Sequence, residues 1–447
     1  MSGFRVVVLG AGPGGLFTAH ALAAAGIDFI VLERQPEIER FRGALLVAWP
    51  PTMRLMDQLG LYEAMLKIST RIISKTHVTH DGQPLCSGPL FDAMEKELGY
   101  PSLGFSRGNL LRVLYEALPD RKTKVRANAN AARIEEHQDG VRVHLEDGDV
   151  VEGSIVIAAD GVHSLAREYI QRHGELSSDA QPLQSPMSTT YLTIFGKARG
   201  RDDDIALGDF VESHGPGIAS QSLRLLDATF FTVLKRLPKP AAPSKRKFTR
   251  EELDGFVADM GDVTIFPGIT LREIWPSRET GEAVLLHQEE GIAESWHHGR
   301  VAIVGDAAHK MTSVNGQGAM TAFLSATVLV NELRRALLGA NQQPSTEDIE
   351  GVFAKYQQSR MQTAAGVVGF GAAVSRFITW GDEGNEAQDR ENSRQEGRLV
   401  GYAKSMYLPL FRESPILDFI PFESKQGASP WAMESVPPSR PSSRPRL

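Results

Sequence analysis

The sequence contains a single cysteine, Cys86, among its 447 residues. One thiol excludes an internal disulfide and any CxxC redox pair. No cluster of cysteines and histidines stands at ligand spacing either, so we expect no metal site. A chain without disulfides suits a reducing compartment, and we expect an intracellular, cytoplasmic protein.

An excess of positive charge is absent as well. The chain has 48 lysines and arginines against 55 aspartates and glutamates, and no long basic run precedes its last few residues. Binding to a phosphate backbone needs a basic surface, so we expect no nucleic-acid partner.

The sequence also shows no clear targeting signal and no clear membrane-spanning segment. A first strand is predicted from about Phe4, so we expect no secretory leader. The most membrane-like stretch, residues 363–380, is interrupted by three glycines and Arg376. A membrane span needs about 20 mostly apolar residues, so this stretch predicts a buried or interface helix and no integral membrane segment. The final Pro-Arg-Leu resembles a peroxisomal Ser-Lys-Leu signal only loosely, which makes the peroxisome the lesser alternative.

The N-terminus does carry a glycine-rich segment, GAGPGG, directly after an apolar run that predicts a strand over 5–9. Gly10, Gly12 and Gly15 fit the pattern GxGxxG, and the alanine-rich stretch that follows predicts a helix over 16–25. In this setting the first glycine permits the tight turn, the second lets the backbone approach a pyrophosphate, and the third lets the helix pack on the strand. The segment therefore predicts a dinucleotide site.

Glu33 ends the second apolar run, FIVLE, 18 residues after Gly15. A carboxylate at the end of a neighbouring strand would accept hydrogen bonds from ribose hydroxyls. The motif fits FAD and NAD equally, and an ordinary glycine-rich turn is the alternative.

Two further turns favour FAD. Asp160 follows an apolar strand, and Asp306 follows another, after which Gly316 and Gly318 open a long helix from about Ala319. Asp306 could bind ribitol hydroxyls, and the glycines would let backbone amides approach the isoalloxazine. The positive end of the helix would stabilise negative charge on a reduced flavin. A nicotinamide-binding fold does not need this third segment, although each turn alone is more often an ordinary tight turn.

In this order and spacing, the motifs resemble those of the FAD-dependent aromatic hydroxylase family of single-component flavin monooxygenases. They are most similar to its fungal secondary-metabolite branch, which includes paxilline-type epoxidases. The resemblance extends over about residues 4–424, and its further matches are GALLVAWPPTMRLMDQLGL (43–61), SRGNLLRVL (106–114), WHHGRVAIVGDAAHKMT (296–312) and ILDFIPF (416–422).

The resemblance implies an α/β fold: a Rossmann-like, glutathione-reductase-like FAD-binding domain, a mixed-sheet substrate domain and C-terminal helices. The tail, rich in Pro, Ser and Arg, is predicted to be disordered from its composition. The predicted bounds are 1–184 and 278–345 for the FAD-binding domain, 185–277 for the substrate sheet, 346–424 for the helical region and 425–447 for the tail.

The resemblance also implies roles for individual residues. Glu33 would hold the adenosine ribose, Arg107 would contact the cofactor, Asp306 would hold the ribitol, and the backbone of Ala319 would lie against the flavin. Val47 stands where many relatives have a glycine close to the flavin, so only a backbone contact is implied there.

Besides Val47, the chain departs from the family pattern in the loop before the long helix and at Leu192. Ser313, Val314 and Met320 replace a proline and two asparagines in the loop before the long helix, which puts turnover in more doubt than FAD binding. Leu192 stands where relatives that act on phenolates often have an arginine, which favours a neutral, hydrophobic substrate. His214 aligns loosely with a tyrosine that faces the flavin pocket and is our candidate catalytic or substrate-orienting group; a solvated loop histidine is the alternative.

These features predict an FAD-dependent monooxygenase that takes electrons from NADPH or NADH and hydroxylates or epoxidises a hydrophobic secondary-metabolite intermediate. Prenylated aromatics, indoles and terpenoids are the substrate classes expected. A flavin halogenase is disfavoured, because the segment Trp-x-Trp-x-Ile-Pro is absent. A non-redox FAD-binding scaffold or cyclase is the remaining alternative, and the oligomeric state stays open.

Overall fold

A computed structural model describes residues 3–39, 45–174, 185–199, 205–279, 281, 283–339 and 343–433. The strands, in chain order, are β1 (Arg5–Leu9), β2 (Asp28–Leu32), β3 (Leu45–Ala48), β4 (Thr70–Arg71), β5 (Ser74–Thr79), β6 (Pro84–Gly88), β7 (Leu103–Ser106), β8 (Val125–Arg126), β9 (Ala131–His137), β10 (Gly140–Leu145), β11 (Val150–Gly153), β12 (Ile155–Ala158), β13 (Met187–Ala198), β14 (Asp209–Gly215), β15 (Ile218–Arg224), β16 (Thr229–Ala241), β17 (Thr264–Phe266), β18 (Ile269–Thr270), β19 (Val284–Ile292), β20 (His297–His298), β21 (Val301–Ile303) and β22 (His309–Lys310).

The helices lie between these strands and at the C-terminal end. They are α1 (Pro13–Ala25), α2 (Pro50–Gln58), α3 (Tyr62–Lys67), α4 (Leu90–Leu98), α5 (Arg107–Glu116), α6 (Arg121–Lys124), α7 (Leu165–His173), α8 (Arg250–Met260), α9 (Leu271–Ile274), α10 (Gly318–Gly339), α11 (Thr346–Ile378), α12 (Asn385–Ser393), α13 (Arg398–Tyr402) and α14 (Leu408–Arg412). A π-helical turn, Ala403–Tyr407, joins the last two.

The first layer is a six-stranded sheet in the order β20-β21-β12-β1-β2-β8. The strands from β21 to β8 are parallel, and β20 pairs antiparallel at the edge. Strand β1, with sequence RVVVL, has four of its five residues buried, as expected for a valine-rich strand at the centre of a parallel sheet. Helices α1 and α10 pack against each other beside it. The predicted α/β fold with a Rossmann-like domain is confirmed.

The second layer is an eight-stranded sheet in the order β22-β19-β13-β16-β15-β14-β5-β6. Its centre falls within the predicted substrate region, 185–277. Both edges come from outside that range, since β5 and β6 precede it and β19 and β22 follow it. Strand β14 pairs in parallel with β5, and this long-range pairing is what brings residues 74–79 into the sheet.

Helix α11 is 33 residues long and begins at a capping box in which Ser345 and Asp348 bond each other's backbone amides. It includes most of the apolar stretch 363–380, and Val367 and Val368 of that stretch are buried. Within the described ranges, no helix is long and apolar enough to cross a membrane.

The structure corrects the predicted start of the disordered tail, because residues 425–433 pack against the protein. Trp431 is only 4% exposed, its indole N–H donates to the carbonyl of Lys425 at 3.1 Å, and the Arg54 guanidinium lies 4.3 Å from its ring centre. The amide of Ser429 donates to the carbonyl of Glu97 at 2.8 Å. The composition, rich in Pro, Ser and Arg, predicted disorder here, whereas one buried tryptophan and its cation–π partner hold the segment. Residues 434–447 lie outside the described part.

Candidate functional site: a dinucleotide cleft and two adjoining cavities

Three adjoining cavities are relevant to ligand binding. The N-terminal cavity, of about 650 Å³, lies at the GxGxxG turn. The central cavity, of about 310 Å³, lies between β3, the loop before α10 and the eight-stranded sheet. The helical cavity, of about 810 Å³, lies between that sheet and α11 to α13.

The structure brings together ten of the eleven residues predicted to bind the cofactor. Gly12 and Arg107 line both the N-terminal and the central cavity, so these two spaces adjoin. The N-terminal cavity also contains Gly10, Glu33 and Asp160 in its wall. The other five line the central cavity and are Val47, Asp306, Gly316, Gly318 and Ala319.

Glycine is required at the three positions of the GxGxxG motif for different structural reasons. A Cβ on Gly10, whose φ is +92°, would lie 2.7 Å from the carbonyl oxygen of Ala159, and one on Gly15 would lie 1.8 Å from that of Gly10. These two positions are therefore needed for the turn and for close packing of α1 on the sheet. A Cβ on Gly12 would meet only the Arg107 guanidinium, at 3.8 Å, and would otherwise project into open space at the start of α1. This position keeps room for a ligand.

Glu33 supports the same turn. Its Oε2 accepts from the amide of Ala11 at 2.8 Å, and its Oε1 accepts from the amide of Gln35 at 2.9 Å. Each carboxylate oxygen retains a second lone pair, and the side chain lines the N-terminal cavity. Glu33 can therefore accept a hydroxyl of a ligand while it holds the loop.

Asp160 has one satisfied and one orphaned oxygen. Its Oδ2 accepts from the amide of Leu165 at 2.8 Å, whereas its buried Oδ1 has no hydrogen-bond partner. Burial raises the pKa of this carboxyl above its ordinary value. An unpaired buried acceptor in a cavity wall is costly, and a donor on a bound ligand would relieve that cost.

Asp306 lies on a 3-10 turn, Gly305–Ala307, at the end of β21. Its side chain is 41% exposed and accepts from the Lys310 ammonium at 3.0 Å. The turn begins at Gly305 with a φ of +64°, and Gly316, with a φ of +61°, ends the following loop before α10 begins at Gly318.

That loop is anchored despite its departures from the family pattern. The side-chain amide of Gln288 donates to Oγ of Ser313 at 2.8 Å and accepts from the Ser313 amide at 3.3 Å. A proline could make neither bond, so Gln288 substitutes for the rigidity of the missing ring. Met320 is 1% exposed, lies in the core, and is not among the described residues that line the central cavity.

Sequence reasoning missed a buried polar cluster next to the central cavity. Glu212 on β14 accepts from Lys75 Nζ at 2.9 Å through Oε1, and from Gln221 Nε2 at 2.6 Å through Oε2. Burial alone would raise the pKa of Glu212, but Lys75 and a hydrogen bond from His214 outweigh it and hold that pKa well below its ordinary value. The sequence signal was SKTHVTH, in which alternate residues of one strand face put Lys75 and His77 on the same side.

His214, the candidate catalytic residue, lies in this cluster and not in the central cavity wall. It is 1% exposed on β14, which excludes the alternative of a solvated loop histidine. Its Nδ1 lies 2.6 Å from Oδ2 of Asp389 and its Nε2 lies 3.1 Å from Oε1 of Glu212. Although burial lowers the pKa of His214, the two carboxylates outweigh burial and raise it. Any effect of His214 on a ligand in the central cavity would pass through Glu212.

The distances alone would allow a metal ion between His77, Glu212 and His214, whose ligand atoms lie within 4.8 Å of one another. However, the Lys75 ammonium already lies 2.9 Å from the Glu212 carboxylate. A cation at that distance would repel a metal ion, so we assign ion pairing and not metal ligation to this cluster.

The residues of the first two cavities fit FAD. The open space at Gly12, the amides at the start of α1, the free lone pairs of Glu33 and the orphaned oxygen of Asp160 match a pyrophosphate and its riboses. The glycine-flanked loop before α10 matches the edge of a flat ring system.

Comparison with known proteins agrees with this fit. The family model described as FAD binding domain matches residues 4–370. The FAD-dependent monooxygenase srdH of Neurospora crassa is 35% identical over 453 residues, which cover 97% of this chain and 99% of that protein. The crystal structure of HpxO from Klebsiella pneumoniae, complexed with FAD and uric acid, has a TM-score of 0.73 and 22% identity, and covers 91% of this chain and 97% of that one. The Diels-Alderase PyrE3 of the pyrroindomycin pathway has a TM-score of 0.67 and 20% identity, and covers 90% of this chain and 79% of that one. These two solved structures share the fold of this chain.

Proposed function

The chain belongs to the family of FAD-dependent monooxygenases, as its motifs predicted, and from this premise we propose that it oxygenates a small, largely apolar molecule. NADPH or NADH would supply the electrons and O2 the oxygen atom. The reaction would be a hydroxylation or an epoxidation. Its substrate would be a prenylated aromatic, an indole or a terpenoid from fungal secondary metabolism.

The chain's own residues would bind and orient the cofactor. The start of α1 and Gly12 would receive the pyrophosphate, Glu33 the adenosine ribose, and Asp306 the ribitol. The backbone of Val47 and of Ala319 would flank the flavin ring. When bound, FAD supplies electron transfer from the nicotinamide and the activation of O2.

The observation that carries the proposal is that the predicted cofactor residues surround a cavity whose remaining wall is largely apolar. Trp49, Phe91, Phe195 and Phe210 line the central cavity together with Val314 of the loop before α10. An apolar wall would hold a hydrophobic substrate next to the flavin ring and keep water out, which protects reactive oxygen species from wasteful decay.

The test is the visible spectrum of the purified protein, recorded without oxygen before and after addition of NADPH or NADH, with and without a panel of prenylated aromatic compounds. Bleaching of the flavin band, followed after admission of labelled O2 by a product that contains the label, would support the proposal. A flavin band that neither nucleotide bleaches with any compound would overturn it and would favour the scaffold or cyclase alternative.

A further inference from the structure

A row of three hydrogen-bonded side chains marks the boundary between the central and the helical cavity. Lys75 lines both cavities, Gln221 lines the central one, and Glu212, which bonds both, lines the helical one. Glu212 and Gln221 are 1% and 5% exposed. We call these three residues the Lys75 row.

Both carboxylate oxygens of Glu212 already accept hydrogen bonds. Its Oε1 accepts from Lys75 and from His214 Nε2, and its Oε2 accepts from Gln221. The amide of Gln221 is fixed in orientation, because Nε2 donates both to Glu212 and to the carbonyl of Val314, at 2.7 Å.

The ammonium of Lys75 is not saturated. It carries three N–H donors, and the only acceptor recorded for it among the described residues is Glu212. Its side chain is 15% exposed, and it lines both cavities. At least one donor on a largely desolvated cation is therefore available to a molecule in the central cavity.

The charges around Lys75 favour a hydrogen-bond acceptor on the substrate over a cationic group on the substrate. Lys75 and Arg398 are cationic, Glu212 and Asp389 are anionic, and His214 adds a positive charge when both of its nitrogens donate to these carboxylates. Both carboxylate oxygens of Glu212 already bond donors of the protein, so an incoming amine would have to compete with them. An oxygen with partial negative charge would instead meet an N–H of Lys75.

We propose that the Lys75 row is a substrate-recognition site, in which the Lys75 ammonium donates to a carbonyl-type oxygen of the substrate. Gln221 and Glu212 are positioning residues, because they hold the ammonium at the boundary of the cavities. This inference rests on the proposed function, since it takes the central cavity as the place where the substrate is oxidised.

The cavity walls on either side of the Lys75 row indicate the shape and polarity of the rest of the substrate. The helical cavity is apolar on the side of α11 and the π-helical turn, where Phe370, Val374, Phe377 and Met406 line it. A molecule whose oxidised part lies in the central cavity and whose carbonyl meets Lys75 would extend its remaining apolar part there. The structure thus favours an extended hydrophobic ketone, lactone or amide over a hydrocarbon or an amine.

The test uses the FAD-loaded protein and two rigid probes of the same shape, fluorene and 9-fluorenone, which differ by one carbonyl. Their dissociation constants are measured by titration calorimetry and by the change in the flavin spectrum, without NADPH. We expect 9-fluorenone to bind about tenfold more tightly than fluorene, because a hydrogen bond to a charged group has that order of effect. Equal affinities, or no binding of either probe by FAD-loaded protein, would overturn the proposal.

The variants test whether Lys75 causes the preference. Lys75→Met alone would leave Glu212 buried without its cation, so the main variant is Lys75→Met with Glu212→Gln, which removes both charges together. In it the preference for 9-fluorenone should fall to about threefold or less, and Lys75→Arg should restore most of it. The matched control is Lys235→Met on β16, where a 42% exposed lysine pairs with Asp259; it should retain the preference.

A preference for 9-fluorenone that survives in the double variant would assign the carbonyl to another group and overturn the proposal. Binding is measured at equilibrium and without turnover. A protein that shows the preference but oxidises neither NADPH nor NADH would contradict the proposed function, while Lys75 would still be assigned as the group that recognises the carbonyl.

Discussion

Nδ1 of His214 lies 2.6 Å from Oδ2 of Asp389, although 175 residues separate them in the sequence. His214 belongs to β14 and Asp389 to α12, and both side chains are at most 1% exposed. Asp389 also accepts from the indole of Trp380 at 3.1 Å and lies 3.4 Å from the Arg398 guanidinium. This pair therefore fixes the C-terminal helices onto the eight-stranded sheet.

The first prediction concerns that pair. Asp389→Ala should lower the free energy of unfolding by about 3 kcal/mol, because it removes one of the two buried carboxylates that pair with His214 and the acceptor of the Trp380 indole. The measurement is urea denaturation followed by circular dichroism. Glu386→Ala on the same helix is the matched control: its carboxylate is 52% exposed and pairs with Arg390, so it should cost at most about 0.5 kcal/mol. Equal losses of unfolding free energy in the two variants would show that the buried pair contributes no more to stability than an exposed pair.

The second prediction is that a methyl group at Gly12 affects FAD binding and not folding. Gly12→Ala should fold with nearly wild-type stability, because its Cβ meets only the Arg107 guanidinium at 3.8 Å. It should bind FAD at least about tenfold more weakly, since the methyl group would occupy the approach of the pyrophosphate. The melting temperature of the FAD-free protein and a fluorescence titration with FAD measure the two effects.

Gly15→Ala is the contrasting variant, because its Cβ would lie 1.8 Å from the Gly10 carbonyl and should disrupt folding itself. Wild-type FAD affinity in Gly12→Ala would refute the placement of the pyrophosphate.

The third prediction concerns Glu33. Glu33→Ala removes the acceptor for the amides of Ala11 and Gln35 together with the proposed ribose contact. We expect FAD affinity to fall about tenfold to a hundredfold, the range for lost hydrogen bonds to a charged group. Glu33→Gln, which keeps one acceptor oxygen, should lose less. Glu152→Ala, on the exposed strand β11, should bind FAD normally. Unchanged affinity in Glu33→Ala would rule out the ribose contact.

The fourth prediction concerns Asp306. Asp306→Ala should fold, because the ion pair that it loses with Lys310 is partly exposed, and such pairs contribute about 1 kcal/mol or less. FAD affinity should nevertheless fall about tenfold with the loss of the proposed ribitol contact. Asp254→Ala on α8 removes a comparable i,i+4 pair, with Arg250, away from the cavities. If both variants retain FAD equally, Asp306 is a turn residue and not a ligand of the cofactor.

The fifth prediction is a pH dependence that arises from His309. This side chain is fully buried between β22 and α10, its Nε2 lies 2.9 Å from Ser325 Oγ, and burial lowers the pKa of its imidazole to about 4. The unfolded chain takes up a proton near pH 6.5 and the folded chain only near pH 4, so stability is lost as the pH falls through this window. Between about pH 7.5 and about pH 4.5 this group should cost roughly 2 to 3 kcal/mol.

His309→Gln cannot titrate but can still bond Ser325. Its free energy of unfolding should therefore decline less steeply than that of the wild type over the same range. Parallel curves for the two proteins would show that His309 is not a source of the acid sensitivity.

The dinucleotide cleft could be predicted from sequence because its signals are local. Gly10, Gly12 and Gly15 stand between one strand and one helix, so a short window contains the whole strand–turn–helix unit. Asp306 and Gly316 mark turns in the same way. Patterns of this kind depend on backbone geometry within a few residues, and the fold then brings the separate turns together at one edge of the sheet.

The Lys75 row could not be predicted in this way. Lys75 and Glu212 meet because β5 pairs in parallel with β14, and their separation of 137 residues has no local signal. His214 was selected because it aligns loosely with a tyrosine of related proteins, whereas its partner Asp389 lies in a highly charged segment, residues 381–398. Trp431 was likewise included in the tail that was predicted to be disordered, because the composition of the whole segment is polar. In each case one long-range contact determines the environment of the side chain. The average composition of a segment contains no information about such a contact.

The strand order of the six-stranded sheet has a consequence for how the chain is made. Strand β12 lies between β1 and β21, so one side of residues 155–158 remains without a partner until residues 301–303 have left the ribosome. At about 5 to 20 residues per second, β21 is synthesised roughly 7 to 30 s after β12. During that interval the nascent chain presents an apolar strand edge, IVIA, which is the kind of surface that chaperones cover and that other chains can pair with. Co-expression of chaperones should therefore raise the yield of recombinant protein.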